Sequence, residues 1–217
     1  LASLSVFALS RMRAAGDRAA TISIMRQLQI ANYSYANDHN GQYVPIISKG
    51  SGGGIDMEWY RDASFITYLT GDPAVMEKTP VEMLTADSGI LDPIVVRKKQ
   101  RYWDRLSSSY GFNSTGLTYP KDDTSVPYAY RVTEINDPSR TAFIVTATDY
   151  TVTYAGRNLW ESSPVEGKTT NSKMAFRYDK KAVVVYYDGS TGFITKGDIA
   201  RFDASGGINH PFWKAKQ

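Results

Sequence analysis

The chain contains no cysteine and only two histidines, and these two shortages exclude several kinds of function. Without cysteine there is no disulfide framework, no cysteine-ligated zinc and no thiol nucleophile. His39 and His210 lie far apart in the sequence, so the residues support neither a Ser-His-Asp triad nor a site built on two histidines. His39 follows Asp38 at a predicted helix end, where both side chains are expected to act as polar caps.

The chain also lacks a large excess of charge of one sign. Its 25 Lys and Arg residues against 22 Asp and Glu residues give a formal net charge of +3 over 217 residues. A charge this small does not by itself indicate a nucleic-acid ligand. The length suits one domain, or one domain with an appendage, and a hydrophobic content of 42% is sufficient for a core. The glycine-rich stretch 48–54 is predicted to be a flexible loop, because it has neither the preceding strand nor the closing Lys-Ser or Lys-Thr pair of a P-loop.

The first forty residues predict one long helix. A helix over this segment would be about 55 Å long at about 1.5 Å per residue, whereas a small domain is about 30 Å across, so part of it must project. Asn40 and Gly41 offer a left-handed cap, and Pro45 prevents continuation. The following apolar residues recur at steps of three or four, as in an amphipathic helix: Leu4, Ala8, Met12, Ala15, Ala19, Ile22, Met25 and Leu28.

The start of this helix carries no charge until Arg11 and Arg13. An apolar segment followed at once by basic residues is typical of the end of a membrane-spanning helix. Residues 1–9 are too few to cross a bilayer, which needs about twenty residues. We therefore expect that this is the remaining end of a longer helix and that the membrane-spanning part lies upstream. The alternative is an ordinary core helix that begins at Leu1.

The remainder of the chain predicts a sheet that follows the helix. Short helices are expected at 59–69 and 79–84. Strands rich in β-branched and aromatic residues are expected at 128–132, 141–146, 174–178, 182–187 and 193–195, with a hairpin turn at 179–181. Short turns between successive strands favour an antiparallel sheet. The predicted fold is α+β, with a helical segment at 1–40 packed on a head domain at 41–217.

Several stretches of the sequence resemble type IV pilin-like proteins, most of all the major pseudopilins of type II secretion. The similarity is carried by the helix end at 29–45, by the stretches 109–113 and 137–144, and by the ending at 210–214. A further stretch, from Arg177 to Gly189, is similar to the family's H-x9-D-G signature. Tyr178 stands at the position of the signature histidine, and Asp188 and Gly189 form its other end.

This resemblance implies a structural subunit of a filament that supports protein secretion, and not an enzyme. The full-length protein would be a single-pass protein of the inner membrane, processed and methylated at its N-terminus, with its head domain in the periplasm. Its partners would be other pilin or pseudopilin subunits and the secretion machinery. Helix stripes that bury against neighbouring helices give open-ended assembly. The residues predicted to make filament contacts are Leu4, Phe7, Arg11, Met12 and Arg13.

One stretch favours a different interpretation. Basic and aromatic residues alternate from Arg97 to Arg105, and such a patch can bind single-stranded nucleic acid or polysaccharide. The chain would then be a binding module, displayed on a filament or free in the periplasm. A solvated face is the favoured interpretation of this stretch, because the overall charge is small, and a periplasmic enzyme ranks below both. The candidate ligand patch consists of Arg97, Lys98, Lys99, Arg101, Tyr102 and Trp103.

No cofactor is predicted, and calcium is the one metal that the sequence leaves open. Calcium prefers carboxylate and carbonyl oxygen ligands. Asp188 and Asp198 are weak candidates for such ligands near the C-terminal strands, and Asp122, Asp123 and Asp149 are further ones. Asp188 is also explained by the turn that an Asp-Gly pair favours.

Overall fold

The computed structural model of this chain is α+β, with a long N-terminal helix against a five-stranded sheet. It describes residues 2–50, 54–72, 74, 89–97, 109–117, 128–156 and 174–216. The predicted helix at 79–84 lies outside these residues. Helix α1 (Ala2–Asp38) comes first, followed by the short helices α2 (Ala63–Thr70) and α3 (Pro93–Arg97), and α4 (Lys196–Ala204) comes late in the chain.

Helix α1 ends where the sequence predicts. The backbone turns left-handed at Asn40 (φ 53°) and Gly41 (φ 76°), and the Gly41 N–H donates to the Ala36 carbonyl at 2.8 Å. A left-handed residue after the last turn closes a helix in this way because it satisfies a free carbonyl. The buried stripe of the helix consists of Thr21, Ile24, Met25, Leu28, Gln29, Ala31, Asn32, Tyr35 and Ala36.

The first half of α1 has no such stripe. Residues 7–20 are exposed apart from the half-buried Asp17, and the first fully buried side chain is Thr21. Because Asp17 pairs with Arg97 of α3, the part that precedes the head is residues 2–16, which span about 22 Å at about 1.5 Å per residue. The expectation that part of the helix projects is confirmed.

The five-stranded sheet has the order β5-β3-β4-β6-β7. Three of its pairs are antiparallel, but β5 runs parallel to β3, so the sheet is mixed and the wholly antiparallel prediction is wrong. Strand β5 follows β4 through a short turn that reverses the chain, and it lies on the far side of β3. Because β4 is antiparallel to β3, the reversed chain of β5 runs parallel to β3. The strands are β3 (Tyr110–Asn113), β4 (Ala142–Thr146), β5 (Thr151–Val152), β6 (Ala182–Tyr186) and β7 (Thr191–Ile194).

The sheet is covered on both faces. On one face Val183 and Val185 of β6 share a buried cluster with Met25 and Leu28 of α1. On the other face Val184 belongs to a second cluster with α4 and the C-terminal segment. The side chains that fill this second cluster from outside the sheet are Ile199, Phe212 and Trp213. The result is three layers: α1, the sheet, and α4 with the C-terminal segment. The sequence predicted only α1 and the sheet.

Two predicted strands are absent from the structure. At 128–132 only Tyr128 and Arg131 form isolated bridges, and a turn of 3₁₀ helix begins at Val132. At 174–178 only Met174 and Tyr178 form bridges. The aromatic residues of these segments contribute to packing, but their backbones form no ladder with a strand; the Ala175 N–H donates to the carbonyl of Thr146, the last residue of β4, at 2.8 Å.

The predicted loop at 48–54 instead contains parts of a small hairpin, with β1 at Ile47–Gly50 and β2 at Gly54–Glu58. The predicted helix at 59–69 is confirmed as a 3₁₀ turn at Trp59–Arg61 followed by α2. Helix α2 packs against the end of α1, where the Tyr68 hydroxyl donates to the Asp38 carboxylate.

A two-residue turn fixes the position of Tyr178 shortly before β6 begins. The N–H and C=O groups of Tyr178 and Lys181 bond to each other at 3.1 and 2.9 Å. Asp179 (φ 50°) and Lys180 (φ 61°) both have left-handed backbones, as a type I′ hairpin turn requires. The hairpin turn predicted at 179–181 is therefore confirmed, although the strand predicted before it is not.

Candidate functional site

The candidate site is the junction where α1 leaves the head. At this point the Thr21 hydroxyl lies 2.5 Å from the hydroxyl of Tyr178. Both residues are buried. Tyr178 therefore contacts the helix directly through its phenol group.

Tyr178 is also the outer member of a buried charged network. Its hydroxyl donates to Asp92 Oδ1 at 3.0 Å, and Arg177 Nη1 lies 3.3 Å from Asp92 Oδ2. The side chains of Asp92 and Arg177 are fully buried. A buried charge is tolerated when it is paired and its remaining polar atoms are bonded. The guanidinium meets this condition by donating to the carbonyls of Ser109 and Ala147, at 2.9 and 2.7 Å.

The directions of these hydrogen bonds follow from the charges. Burial, and then the negative charge of Asp92, raises the pKa of Tyr178 well above its usual range, so the phenol stays protonated. Because an ionised carboxylate only accepts, the Tyr178 proton points to Asp92. The Thr21 hydroxyl must then be the donor in the short bond to Tyr178. Thr21, Tyr178, Asp92 and Arg177 thus form one directed chain from α1 to the sheet.

A second attachment joins α1 to the other end of β6. The Tyr187 carbonyl accepts from Gln29 Nε2 at 2.5 Å and from the Tyr33 hydroxyl. The Asp-Gly turn directly after Tyr187 is held by Asp188, whose carboxylate accepts from the Ser190 N–H at 2.8 Å. The two ends of the stretch that is similar to H-x9-D-G are therefore adjacent to the two attachments of α1.

Beyond the junction, the projecting helix exposes large apolar side chains. Phe7, Leu9 and Met12 are 56%, 65% and 71% exposed, respectively. Arg11 stacks over the Phe7 ring at 4.3 Å, and both Arg11 and Arg13 are exposed. The side chain of Leu4 lies outside the described residues. The assignment of filament contacts stays a prediction for Leu4, Phe7, Arg11, Met12 and Arg13.

A cleft of about 890 Å³ lies at the base of the projecting helix. The described residues that line it include three arginines from α1 (Arg11, Arg13 and Arg18) and one from the end of α3 (Arg97). Arg97 pairs with Asp17 across the cleft. Arg177 and Tyr178 of the buried network also line the cleft.

The structure thus brings the first residue of the candidate ligand patch, Arg97, together with two of the predicted filament-contact residues. The other patch members lie outside the described residues: Lys98, Lys99, Arg101, Tyr102 and Trp103. Because Arg97 is already paired with Asp17, it is not displayed as part of a free basic strip. Nucleic-acid or polysaccharide binding by this patch stays a prediction.

The two candidate calcium ligands have local roles. Asp198 accepts from the Thr195 N–H and hydroxyl at 2.8 and 2.6 Å, which makes it part of the cap that begins α4. Asp188 holds the Asp-Gly turn. Within the described ranges, no group of three or more His, Cys, Asp or Glu side chains could hold a metal. Calcium stays a prediction, because Asp122 and Asp123 lie outside those ranges.

Neither histidine lies at the junction. His39 stacks on Tyr35 at the end of α1, with ring centroids 3.7 Å apart, and its Nδ1 lies 2.7 Å from the Tyr35 carbonyl. His210 stacks on Phe202 of α4. Both rings therefore pack against local aromatic residues. The contact of His39 Nδ1 with the Tyr35 carbonyl agrees with the capping role expected for His39.

Sequence reasoning missed most of the network. Neither Thr21 nor Asp92 carries a local pattern that marks it as a site residue. The one available signal was the place of Tyr178 at the start of the stretch that is similar to H-x9-D-G. Comparisons with protein-family models, with curated proteins and with solved structures found no significant match. Within the part of the chain that the structure describes, no helix has both the length and the apolar content needed to cross a bilayer.

Proposed function

We propose that this chain is a structural subunit of a type II secretion pseudopilus or type IV pilus-like filament, and not an enzyme. The observation that carries the proposal is the division of α1 into two halves. One half is locked to the sheet by buried apolar and polar contacts, and the other half presents Phe7, Leu9 and Met12 to solvent. The head domain is then a pilin-like α+β fold built around this helix.

Exposed apolar residues on a projecting helix need a partner outside the head. Soluble proteins rarely display large apolar side chains together unless the surface is used. A neighbouring helix of another subunit would cover them by packing side by side. Each subunit offers one helix and one head, so the contacts are heterologous and continue as a fibre instead of closing. In this proposal the protein is anchored in the inner membrane with its head in the periplasm, and the filament works with the secretion machinery.

The rigid junction supports this role. A filament transmits the position of each helix to the surface through its head, which requires that helix and head move together. The network from Thr21 to Arg177 and the bonds to the Tyr187 carbonyl supply two separate polar attachments.

The absence of cysteine permits a direct test by site-specific cross-linking in cells. The full-length protein would carry both Phe7→Cys and Met12→Cys and be treated with a bismaleimide. Each subunit could then link to two neighbours, and we expect a ladder of covalent multimers. A matched control carries Ser139→Cys and Ala204→Cys, which are exposed on the head. A fully reacted Phe7→Cys, Met12→Cys protein that stays monomeric would overturn the proposal.

A further inference from the structure

The charges around the junction cleft are unbalanced. Arg11, Arg13, Arg18 and Arg97 line it, against the carboxylates of Asp17 and Asp179. Among the residues that the structure describes, these six lining side chains leave an excess of two positive charges, four minus two. Arg177 adds none, because its guanidinium is neutralised by Asp92 beneath the cleft surface. The cleft is therefore a basic site at the base of a projecting helix.

Apolar side chains adjoin this basic site. Phe7, Leu9 and Met12 are exposed on the same two turns of helix that carry Arg11 and Arg13. Phe193 of the edge strand β7 is also 42% exposed, and the Arg18 guanidinium lies 5.6 Å from the centre of its ring. Arginine side chains beside exposed apolar side chains suit the boundary between the headgroups and the acyl layer of a membrane. There the apolar parts enter the acyl boundary and the guanidinium groups remain among the headgroups.

We infer that the junction cleft binds the phosphate headgroups of anionic phospholipids and so seats the head on the membrane surface. The inference rests on the proposed function, since it names the lipid that the membrane-side end of a subunit contacts before the helix of a neighbouring subunit covers Phe7 and Met12. Guanidinium groups bind phosphate through paired N–H donors, and the attraction is strongest where no cationic group of the headgroup offsets the phosphate charge. Nucleic acid supplies phosphate but no apolar layer for Phe7, Leu9 and Met12. The combination of charge and apolar surface therefore favours lipid.

The test measures binding of the 217-residue chain to vesicles of phosphatidylcholine, with and without phosphatidylglycerol, by flotation. The test variant is Arg11→Gln with Arg13→Gln, because both residues are exposed and glutamine retains helix propensity. The control is Arg131→Gln with Arg140→Gln, which removes the same charge from exposed head positions outside the cleft. We expect the chain to prefer the anionic vesicles.

The test variant should bind the anionic vesicles about thirtyfold more weakly, at about 1 kcal/mol for each arginine near an anionic surface. The control should bind like the unchanged chain. High salt should weaken binding of the unchanged chain to anionic vesicles, because it screens exposed charges.

Equal binding to both kinds of vesicle, or equal binding by the unchanged chain and the Arg11→Gln, Arg13→Gln variant, would overturn the lipid inference. A cross-linked ladder in cells together with charge-independent vesicle binding would overturn the inference alone and leave the filament proposal intact. Anionic-lipid binding without a ladder would overturn the filament proposal alone. Saturation of the cleft by a second copy would appear as a dimer in solution whose formation depends on Arg11 and Arg13, with no preference between vesicles, and it too would overturn the inference.

Discussion

The hydroxyl groups of Thr21 and Tyr178 lie 2.5 Å apart, although the two residues are 157 positions apart in the chain. This bond joins the first buried residue of α1 to the turn that precedes β6. It is buried, so water cannot replace it when either hydroxyl is removed.

We expect Thr21→Val and Tyr178→Phe each to lower the free energy of unfolding by about 1–2 kcal/mol. Because the two groups bond to each other, the double variant should lose less than the sum, with a coupling energy of about 1 kcal/mol. Urea unfolding of the four proteins in this cycle measures that coupling. Thr133→Val, at an exposed position, should change stability by less than about 0.5 kcal/mol. Strictly additive losses would contradict a direct bond.

The buried ion pair gives a larger expected effect. Arg177→Met leaves the Asp92 carboxylate buried without its partner, and we expect a loss of about 3–5 kcal/mol in chemical unfolding. Replacing both residues, as Asp92→Leu with Arg177→Met, should recover part of this loss because no charge remains to be buried. The matched control is Arg140→Met, which breaks an exposed pair with Asp137 and should cost less than about 1 kcal/mol. Similar losses for the buried and the exposed pair would contradict the network.

Tyr110 is buried like Tyr178 but differs from it in the hydrogen bonding of its hydroxyl. It is fully buried beside the network, but its hydroxyl has no hydrogen-bond partner among the described residues. Removing an unbonded buried hydroxyl takes away no favourable contact. We expect Tyr110→Phe to leave the free energy of unfolding unchanged or to raise it by up to about 1 kcal/mol. A loss as large as that of Tyr178→Phe would mean that the Tyr110 hydroxyl is bonded in solution.

The buried phenols predict a loss of stability at alkaline pH. Burial is the largest cause that raises the pKa of Tyr35 to about 12, and burial raises the pKa values of Tyr110, Tyr178 and Tyr187 well above their usual range. In the unfolded chain these phenols lose their protons near pH 10. Above that pH the unfolded state binds fewer protons than the folded state, so stability falls as pH rises.

The contribution of these protonated phenols to the free energy of unfolding should therefore be fully present below about pH 10. Above that pH the free energy of unfolding should fall by up to about 1.4 kcal/mol per pH unit for each tyrosine. Urea unfolding measured between about pH 9 and pH 12 checks this decline. Tyr110→Phe should make the slope shallower by about one proton, since lysine and arginine titrate alike in both proteins. An unchanged slope would show that Tyr110 ionises equally in both states.

Gly111 allows β5 to lie beside β3. A Cβ atom at this position would be 2.8 Å from the Asp149 carbonyl oxygen and 2.9 Å from the Ala147 Cβ. Because one of these neighbours is backbone, we expect Gly111→Ala to lower the free energy of unfolding by about 1–3 kcal/mol. Gly16→Ala is the matched control, since nothing lies within 4 Å of its added methyl group on the projecting helix. That change should increase helicity in circular dichroism, as alanine is favoured over glycine by about 1 kcal/mol.

Local signals in the sequence were sufficient for α1 and for the central strands. The end of α1 was predictable because Asn40 and Gly41 tolerate a left-handed backbone, and the buried stripe through Met25 and Leu28 followed from helical spacing. Strand β6 was predictable from its β-branched run. Helix α4 was missed, although Thr195 and Asp198 have the spacing of a capping box.

The remaining features depend on long-range contacts that leave no local pattern. Asp92 and Arg177 are 85 positions apart, and nothing around either residue identifies the other as its partner. The parallel pairing of β5 depends on the absence of a side chain at Gly111, which sequence reasoning treated only as part of a family stretch. The basic cleft became visible only when Arg97 was placed beside Asp17 of α1.

The attachments of α1 at Thr21 and Gln29 have a mechanical consequence. They lie eight residues apart, about 12 Å along the axis, and hold opposite ends of the same strand. Tension along the projecting end of the helix therefore loads both attachments in shear at the same moment, instead of opening them one after the other. The helix can leave the head only when both attachments break, so a pulling force is carried into β6 before any part of the head yields.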